Sequence, residues 1–202
     1  MHEQTFTHHG LTVKIEHDED AQDPRKDFDN FGTMACFHRR YTLGDKHGLT
    51  IAEVQAIAIS GDYISLPIYM LDHSGYTISN TPFNDPWDSG RLGLIFVSKA
   101  DVRKEFSVTR LSKSLCEKAR KILRQETEIY DAYLTGQVYQ YAIEDEDGTE
   151  LDACAGYYCT DQASDEYLLK EAKQSAQHNA HELYKAQAQA FALTHTQGDT
   201  PA

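Results

Sequence analysis

Residues 112–153 read SKSLCEKARKILRQETEIYDAYLTGQVYQYAIEDEDGTELDA, and two periodicities meet in this stretch. Leu115, Ala119, Ile122, Leu123, Ile129 and Tyr133 recur mainly in steps of three and four with the bases mostly opposite, which predicts an amphipathic helix over 112–134. Gly136 fits as its terminating residue, because glycine takes the left-handed conformation without a side-chain clash. Beyond it, residues 138–144 and 150–153 flank Asp147-Gly148, a tight-turn dipeptide, and predict an antiparallel hairpin. A helix running straight into a hairpin sets the expected class as α+β: a mostly antiparallel sheet packed by an amphipathic helix.

The upstream sequence supplies the other strands. Leu11, Val13 and Ile15 alternate with Thr12, Lys14 and Glu16, the pattern of a half-buried strand, and residues 5–7 pair with it across His8-His9-Gly10. An acidic loop over 18–29 contains Pro24, and residues 33–39 read as a second strand. Thr50 and Glu53 form a capping box that opens a helix to Ile59, stopped by Gly61. Residues 63–71 are strand-like, with Pro67 implying an edge position or a bulge. His73-Ser74-Gly75 turns the chain into 76–79; the loop 82–90 leads to a strand over 92–97, and Ser98 with Asp101 caps a helical turn.

Downstream, a long helix is predicted over 165–193. Leu169, Ala172, Ala176, Asn179, Leu183, Ala186, Ala190 and Leu193 make a heptad seam that serves either this protein's own sheet or a homodimer. The expected organisation is an α+β domain over 1–160, a long C-terminal helix over 161–193 packed on it, and a frayed tail over 194–202.

Charge narrows the partners. The chain carries 19 Lys plus Arg against 32 Asp plus Glu, a formal net charge of −13. Residues 98–124 alone are +6, with nine bases and three acids, which leaves −19 for the rest. Such a balance argues against direct nucleic-acid binding and against anionic membranes, and favours a basic partner, the plain alternative being solubility. The helix bases would then pair with the protein's own acids. No apolar run approaches the ~18 residues of a membrane span, and the opening residues lack the pattern of a secretory signal. A cytoplasmic protein with reduced thiols at Cys36, Cys116, Cys154 and Cys159 is expected.

Four chemistries are open to these residues. Cys154, Cys159, His178 and His181 offer a zinc donor set, but the gap between the pairs is long and the histidines lie on a polar helix face. Asp72-His73-Ser74 and Asp88-Ser89 offer a serine hydrolase or modifying enzyme, but lack the G-x-S-x-G elbow, and adjacent strand residues face opposite ways. Cys36 and His38 share a strand face, with nothing to activate the thiol. No Walker A or G-x-G-x-x-G motif occurs. The fourth is anionic mimicry: Glu144, Asp145, Glu146, Asp147, Glu150 and Asp152 crowd one hairpin, and Asp18, Glu19 and Asp20 form a second cluster. Alternate strand residues recur at roughly 7 Å, close to two steps along one DNA strand at about 6.8 Å.

Several blocks carry a resemblance. DPRKDFDNFGTMACFHRRYTLGDKH (23–47), LPIYMLDHSGYTISNTPF (66–83), PWDSGRLGLIFVSK (86–99) and YDAYLTGQVYQY (130–141) resemble a family of small accessory proteins encoded by phages and plasmids. The resemblance spans 23–158. Where the family has DSC-x-G-[FY], this chain has Asp152-Ala153-Cys154-Ala155-Gly156-Tyr157, with alanine in the serine place. The resemblance brings no catalytic residue, cofactor or metal; it implies a mobile-element accessory protein, and small acidic products of that kind suggest, by analogy, a factor that counters host defence.

The expectation is therefore a non-enzymatic phage or mobile-element accessory protein of the host cytoplasm. It would bind and inhibit a nucleic-acid-targeting defence complex, anti-CRISPR or anti-restriction, through its acidic surfaces. Its partner would be a basic nucleic-acid-binding host protein, with no direct nucleic acid and no membrane. The alternatives are the small hydrolase or modifying enzyme, and a structural or replication accessory dimerising by its C-terminal helix.

Overall fold

The computed structural model describes residues 1–196, with side chains to residue 192. In chain order the elements are β1 (Gln4–His8), β2 (Leu11–His17), α1 (Pro24–Asp27), β3 (Thr33–Cys36), α2 (Ile51–Ile59), β4 (Tyr63–Asp72), β5 (Tyr76–Ser79), β6 (Ser89–Ser98), α3 (Lys99–Glu105), α4 (Lys113–Leu134), β7 (Val138–Glu144), β8 (Glu150–Tyr158) and α5 (Gln162–Thr196). They form an α+β fold with two antiparallel four-stranded sheets. The chain divides into two compact units: a terminal unit of Met1–Ala21 with Val138–Ala202, and an inserted unit of Gln22–Gln137. This grouping differs from the 1–160 domain expected from the sequence, because β2 pairs with β7 and so joins the two ends of the chain.

The terminal unit has the strand order β1-β2-β7-β8. The β1–β2 hairpin turns at His9-Gly10, as its sequence predicts. Val13 stands opposite Ile143 and Ile15 opposite Tyr141, so the alternating apolar residues of both strands share one face. Against that face α5 lays Leu168, Ala172 and Ala176, all fully buried. The two alanines let the helix approach closely, and their methyl groups leave no side-chain entropy to lose. The predicted seam thus serves this protein's own sheet over its first half. Asn179 turns back to donate to Ser175 O at 3.0 Å. α5 begins at Gln162 and continues through Thr196, beyond the expected 193; residues 197–202 of the expected tail lie outside the described residues. β8 also runs past the expected 153, with Gly156 at φ 83° beside a register shift.

The inserted unit has the order β3-β6-β4-β5. β6 is central and buried from Leu92 to Val97. Ile95 and Val97 pack with Ile64 and Ile68 of β4 against Ala119, Leu123 and Tyr130 of α4. Leu94 and Phe96 face Ala35 and Val54 of α2. Gly93 is dictated by contact: a Cβ there would lie 2.0 Å from Ala35 O across the β3–β6 pair. Pro67 sits as expected, near a bulge between Ile68 and Tyr69 and where β5 no longer pairs with β4; Asn80 Nδ2 takes up its carbonyl at 2.9 Å. The Thr50–Glu53 capping box and the Ser98 and Ser112 N-caps all form.

Two local expectations change. The strand expected to 39 ends at Cys36, because Arg40 N (3.3 Å) and Tyr41 N (3.2 Å) both donate to His38 Nδ1 and turn the chain. The supposed acidic loop contains α1, capped by Asp23 with Pro24 in its first turn. This places Arg25 inside the unit with its side chain 1% exposed.

Arg25 uses all five of its N–H donors. Nε and Nη2 grip the two Asp45 oxygens at 2.7 Å each, Nη2 also donates to Gly32 O (2.7 Å), and Nη1 donates to Asn30 Oδ1 (2.9 Å) and Glu126 Oε2 (3.2 Å). The carboxylates are themselves shared: Asp45 accepts from Met34 N (2.7 Å), and Glu126 from Phe31 N (2.5 Å) and Gly32 N (3.1 Å). A buried charge is tolerable when it is paired and fully hydrogen-bonded. Truncating one partner strands the others, so Arg25→Ala should destabilise the chain by about 3–5 kcal/mol in urea denaturation. Arg25→Lys should recover little of this, since an ammonium cannot reproduce the planar fork.

Candidate partner-binding surface

All nine carboxylates singled out from the sequence belong to the terminal unit. They do not form one surface. Glu144 stands opposite Thr12 at the start of β2, whereas Asp18 follows its end, so the clusters sit at opposite ends of a strand about 20 Å long.

Four of the nine serve the fold. Lys14 Nζ donates to Glu144 Oε1 at 2.5 Å, and this hydrogen bond raises the lysine's pKa. Asp145 Oδ1 accepts from Asp147 N (3.0 Å) and Thr149 N (2.8 Å) and so builds the hairpin turn. Asp18 accepts from Asp20 N (3.1 Å) and from Gly156 N (3.0 Å), securing the irregular stretch of β8. Asp152 faces α5 and accepts from Ser175 Oγ. The other five, Glu19, Asp20, Glu146, Asp147 and Glu150, are exposed. Glu146 and Asp147 lie in the turn rather than on a strand, so the regular spacing expected from strand geometry does not hold for them.

The division of the chain also divides its charge. The terminal unit holds 17 acidic and 4 basic residues, the entire −13, and the inserted unit holds 15 of each. Of the four bases, Lys14 and Lys185 are in ion pairs and Lys173 lies over the Phe6 ring at 5.8 Å.

The serine loops belong to the inserted unit and do not assemble a nucleophile. Asp72 is paired with Arg40, and His73 Nδ1 instead meets Asp88 Oδ2 at 2.7 Å, fifteen residues away. Ser89 Oγ donates to Asp85 O, and Ser74 occupies a turn at φ 55°. A cavity of about 270 Å³ lies here, walled by His38, Arg40, Asp72, Asp88 and Arg91. Trp87 at its rim is 91% exposed on a turn held by Asp85, which accepts from Trp87 N and Asp88 N. Those backbone bonds, from Asp88 first, lower the Asp85 pKa. Nothing in the local sequence marks the His73–Asp88 contact, since the hairpin and the 82–90 loop bring it together.

The thiols are not activated. Burial pushes Cys36 up to about 12, and His38 commits its Nδ1 to two backbone amides rather than to the sulfur. Cys159 is likewise buried and raised to about 12, first by burial and then by Asp165, while Cys154 is exposed. His178 and His181 line a surface depression with His9 and two glutamines. Among the described residues, no group of three or more His, Cys, Asp or Glu side chains converges as a metal shell. No helix there is long and apolar enough to cross a membrane.

No family model, curated protein or solved structure matches the chain.

The His73–Asp88 contact has a signature in solution. The Asp88 hydrogen bond and charge raise the His73 pKa above 6.5. The contact is fully charged below the ordinary imidazole value and is lost as pH rises through the raised one. NMR titration of the His73 ring protons should give a midpoint above that of a free imidazole, falling toward it in Asp88→Asn.

Proposed function

We propose that the protein is a phage or mobile-element accessory protein that binds and inhibits a host nucleic-acid-targeting defence complex through its acidic terminal unit. The observation that carries this reading is the segregation of the whole −13 into that unit, where three of four bases are already engaged. A basic nucleic-acid groove attracts such a body at long range and is then blocked by its bulk. Charge density supports the reading, and matched phosphate spacing does not. The hydrolase alternative has less support, because Ser89 Oγ is engaged by a backbone carbonyl and no serine hydroxyl is bonded to His73 among the described hydrogen bonds.

The outward carboxylates identify the informative variant. Glu144 and Asp145 hold the hairpin together, so reversing them would confound folding with binding. Glu146→Lys, Asp147→Lys and Glu150→Lys together should leave the far-UV circular dichroism spectrum unchanged. They should weaken binding to the purified host complex by about tenfold or more at low salt, mostly through slower association. Raising the salt should bring wild type and variant together, since exposed charges are screened. A variant that inhibits as well as wild type at every salt concentration would rule out the acidic hairpin.

A further inference from the structure

The bases of residues 98–124 in the inserted unit are not neutralised by the protein's own acids, contrary to the expectation from sequence. Among the described residues, Arg120 alone of these bases has an ion pair, with Glu117 at 2.6 Å. Asp101 is occupied by the Ser98 hydroxyl at 2.5 Å. Arg103, Lys104, Arg110, Lys113, Lys121 and Arg124 are exposed and form no ion pair among the described residues. Lys118 places its ammonium 4.7 Å from the centroid of Phe106, the C-cap of α3. That contact brings the end of α3, with Arg103 and Lys104, beside α4, on which Lys113, Lys121 and Arg124 share the side opposite the buried Ala119, Leu123 and Tyr130. The first turn of α4 carries no acid, and its unpaired N–H groups add to the positive potential.

The composition of this face selects the kind of partner. A protein interface is built around buried apolar and aromatic anchors. The large exposed hydrophobic side chains, Phe28, Ile51, Ile59, Trp87, Tyr167, Tyr184 and Phe191, all lie outside residues 98–124. What the face does offer is long flexible cations and the hydroxyls of Thr109 and Ser114, the groups that contact phosphates and sugars. From Lys113 to Arg124 the helix rises about 17 Å, a length over which a duplex presents roughly ten phosphate charges. The bases thus find partners without a fixed register.

We propose that the α3–α4 face binds the sugar–phosphate backbone of a nucleic acid without reading its sequence. The whole-chain charge does not oppose this. All of the −13 belongs to the terminal unit, and the inserted unit that carries these bases is neutral overall. The inference does not rest on the role proposed for the acidic hairpin.

The test measures fluorescence anisotropy of a short labelled DNA duplex, and of an RNA of the same sequence, with the full-length chain over a salt series. Binding is expected at low salt, with log K falling against log salt at a slope between about −3 and −6. Lys113→Glu, Lys121→Glu and Arg124→Glu together should reduce the steepness of that slope by about 3 and weaken binding at least about tenfold. Should this variant misfold, Arg103→Glu with Lys104→Glu should reduce it by about 2. The hairpin reversal at Glu146, Asp147 and Glu150 should leave nucleic-acid binding intact, which separates the two proposals. Failure of the wild type to bind either probe at low salt overturns the proposal, as does binding unaffected by both base reversals. Salt-sensitive self-association that the base reversal abolishes, without nucleic-acid binding, would assign the face to an acidic protein surface and equally overturn it.

Discussion

A guanidinium that is 1% exposed has to find five acceptors, and in the inserted unit that demand organises the surrounding backbone. Arg25 reaches Asp45 in the irregular 37–50 segment, Glu126 on α4, and the Asn30 and Gly32 oxygens just before β3. Asp45 in turn receives Met34 N, and Glu126 receives Phe31 N and Gly32 N, so the entry into β3 is held from two directions. Gly44, beside Asp45, has φ 73° and donates its N–H to Tyr130 Oη of α4 at 3.1 Å, adding a third tether. A packed apolar cluster of the same volume would stabilise as well or better. What the charged cluster adds is direction, because each donor fixes the position of one particular acceptor.

The elements visible in the sequence are those whose causes are local. The His9-Gly10 and Asp147-Gly148 turns, the Thr50–Glu53 box, the Ser98 and Ser112 caps and the Gly136 terminator each involve residues a few positions apart. The features that escaped depend on partners far along the chain. β2 and β7 are separated by more than a hundred residues, so their pairing and the resulting two-unit division have no local signal. Arg25 and Glu126 stand 101 positions apart, and an arginine among aspartates looks like part of a solvated loop. On α4, Thr127 and Tyr130 are buried where Ile122 and Ile129 were expected to be. The threonine is tolerated there because its hydroxyl donates to Leu123 O at 3.0 Å, a bond that no hydropathy pattern registers.

The candidate acidic surface was half visible for a related reason. Residue type marks a carboxylate, but not whether a nearby amide already claims it. Asp18, Asp145 and Asp152 accept hydrogen bonds from within their unit, and Glu144 is paired with a lysine. Such carboxylates remain negative, yet moving them or their partners disturbs the sheet. Glu19, Asp20, Glu146, Asp147 and Glu150 carry no such duty among the described contacts and are the ones a partner would meet first.

The pairing of β2 with β7 also decides how charge is distributed, and this makes the net figure of −13 misleading as a description of either unit. The acidic opening segment and the acidic closing segment are sewn into a single sheet, so their charges accumulate in one body and the insertion is left balanced. Cutting away the acidic opening segment would remove strands of that sheet as well. Residues 1–21 supply the edge strand β1 and the inner strand β2, and without them β7 would lose its partner and the core under α5 would lose Leu11, Val13 and Ile15. The −13 is thus fixed by the same strand pairing that buries the apolar core, so the charge of this unit is tested by substitution at its surface and not by shortening the chain.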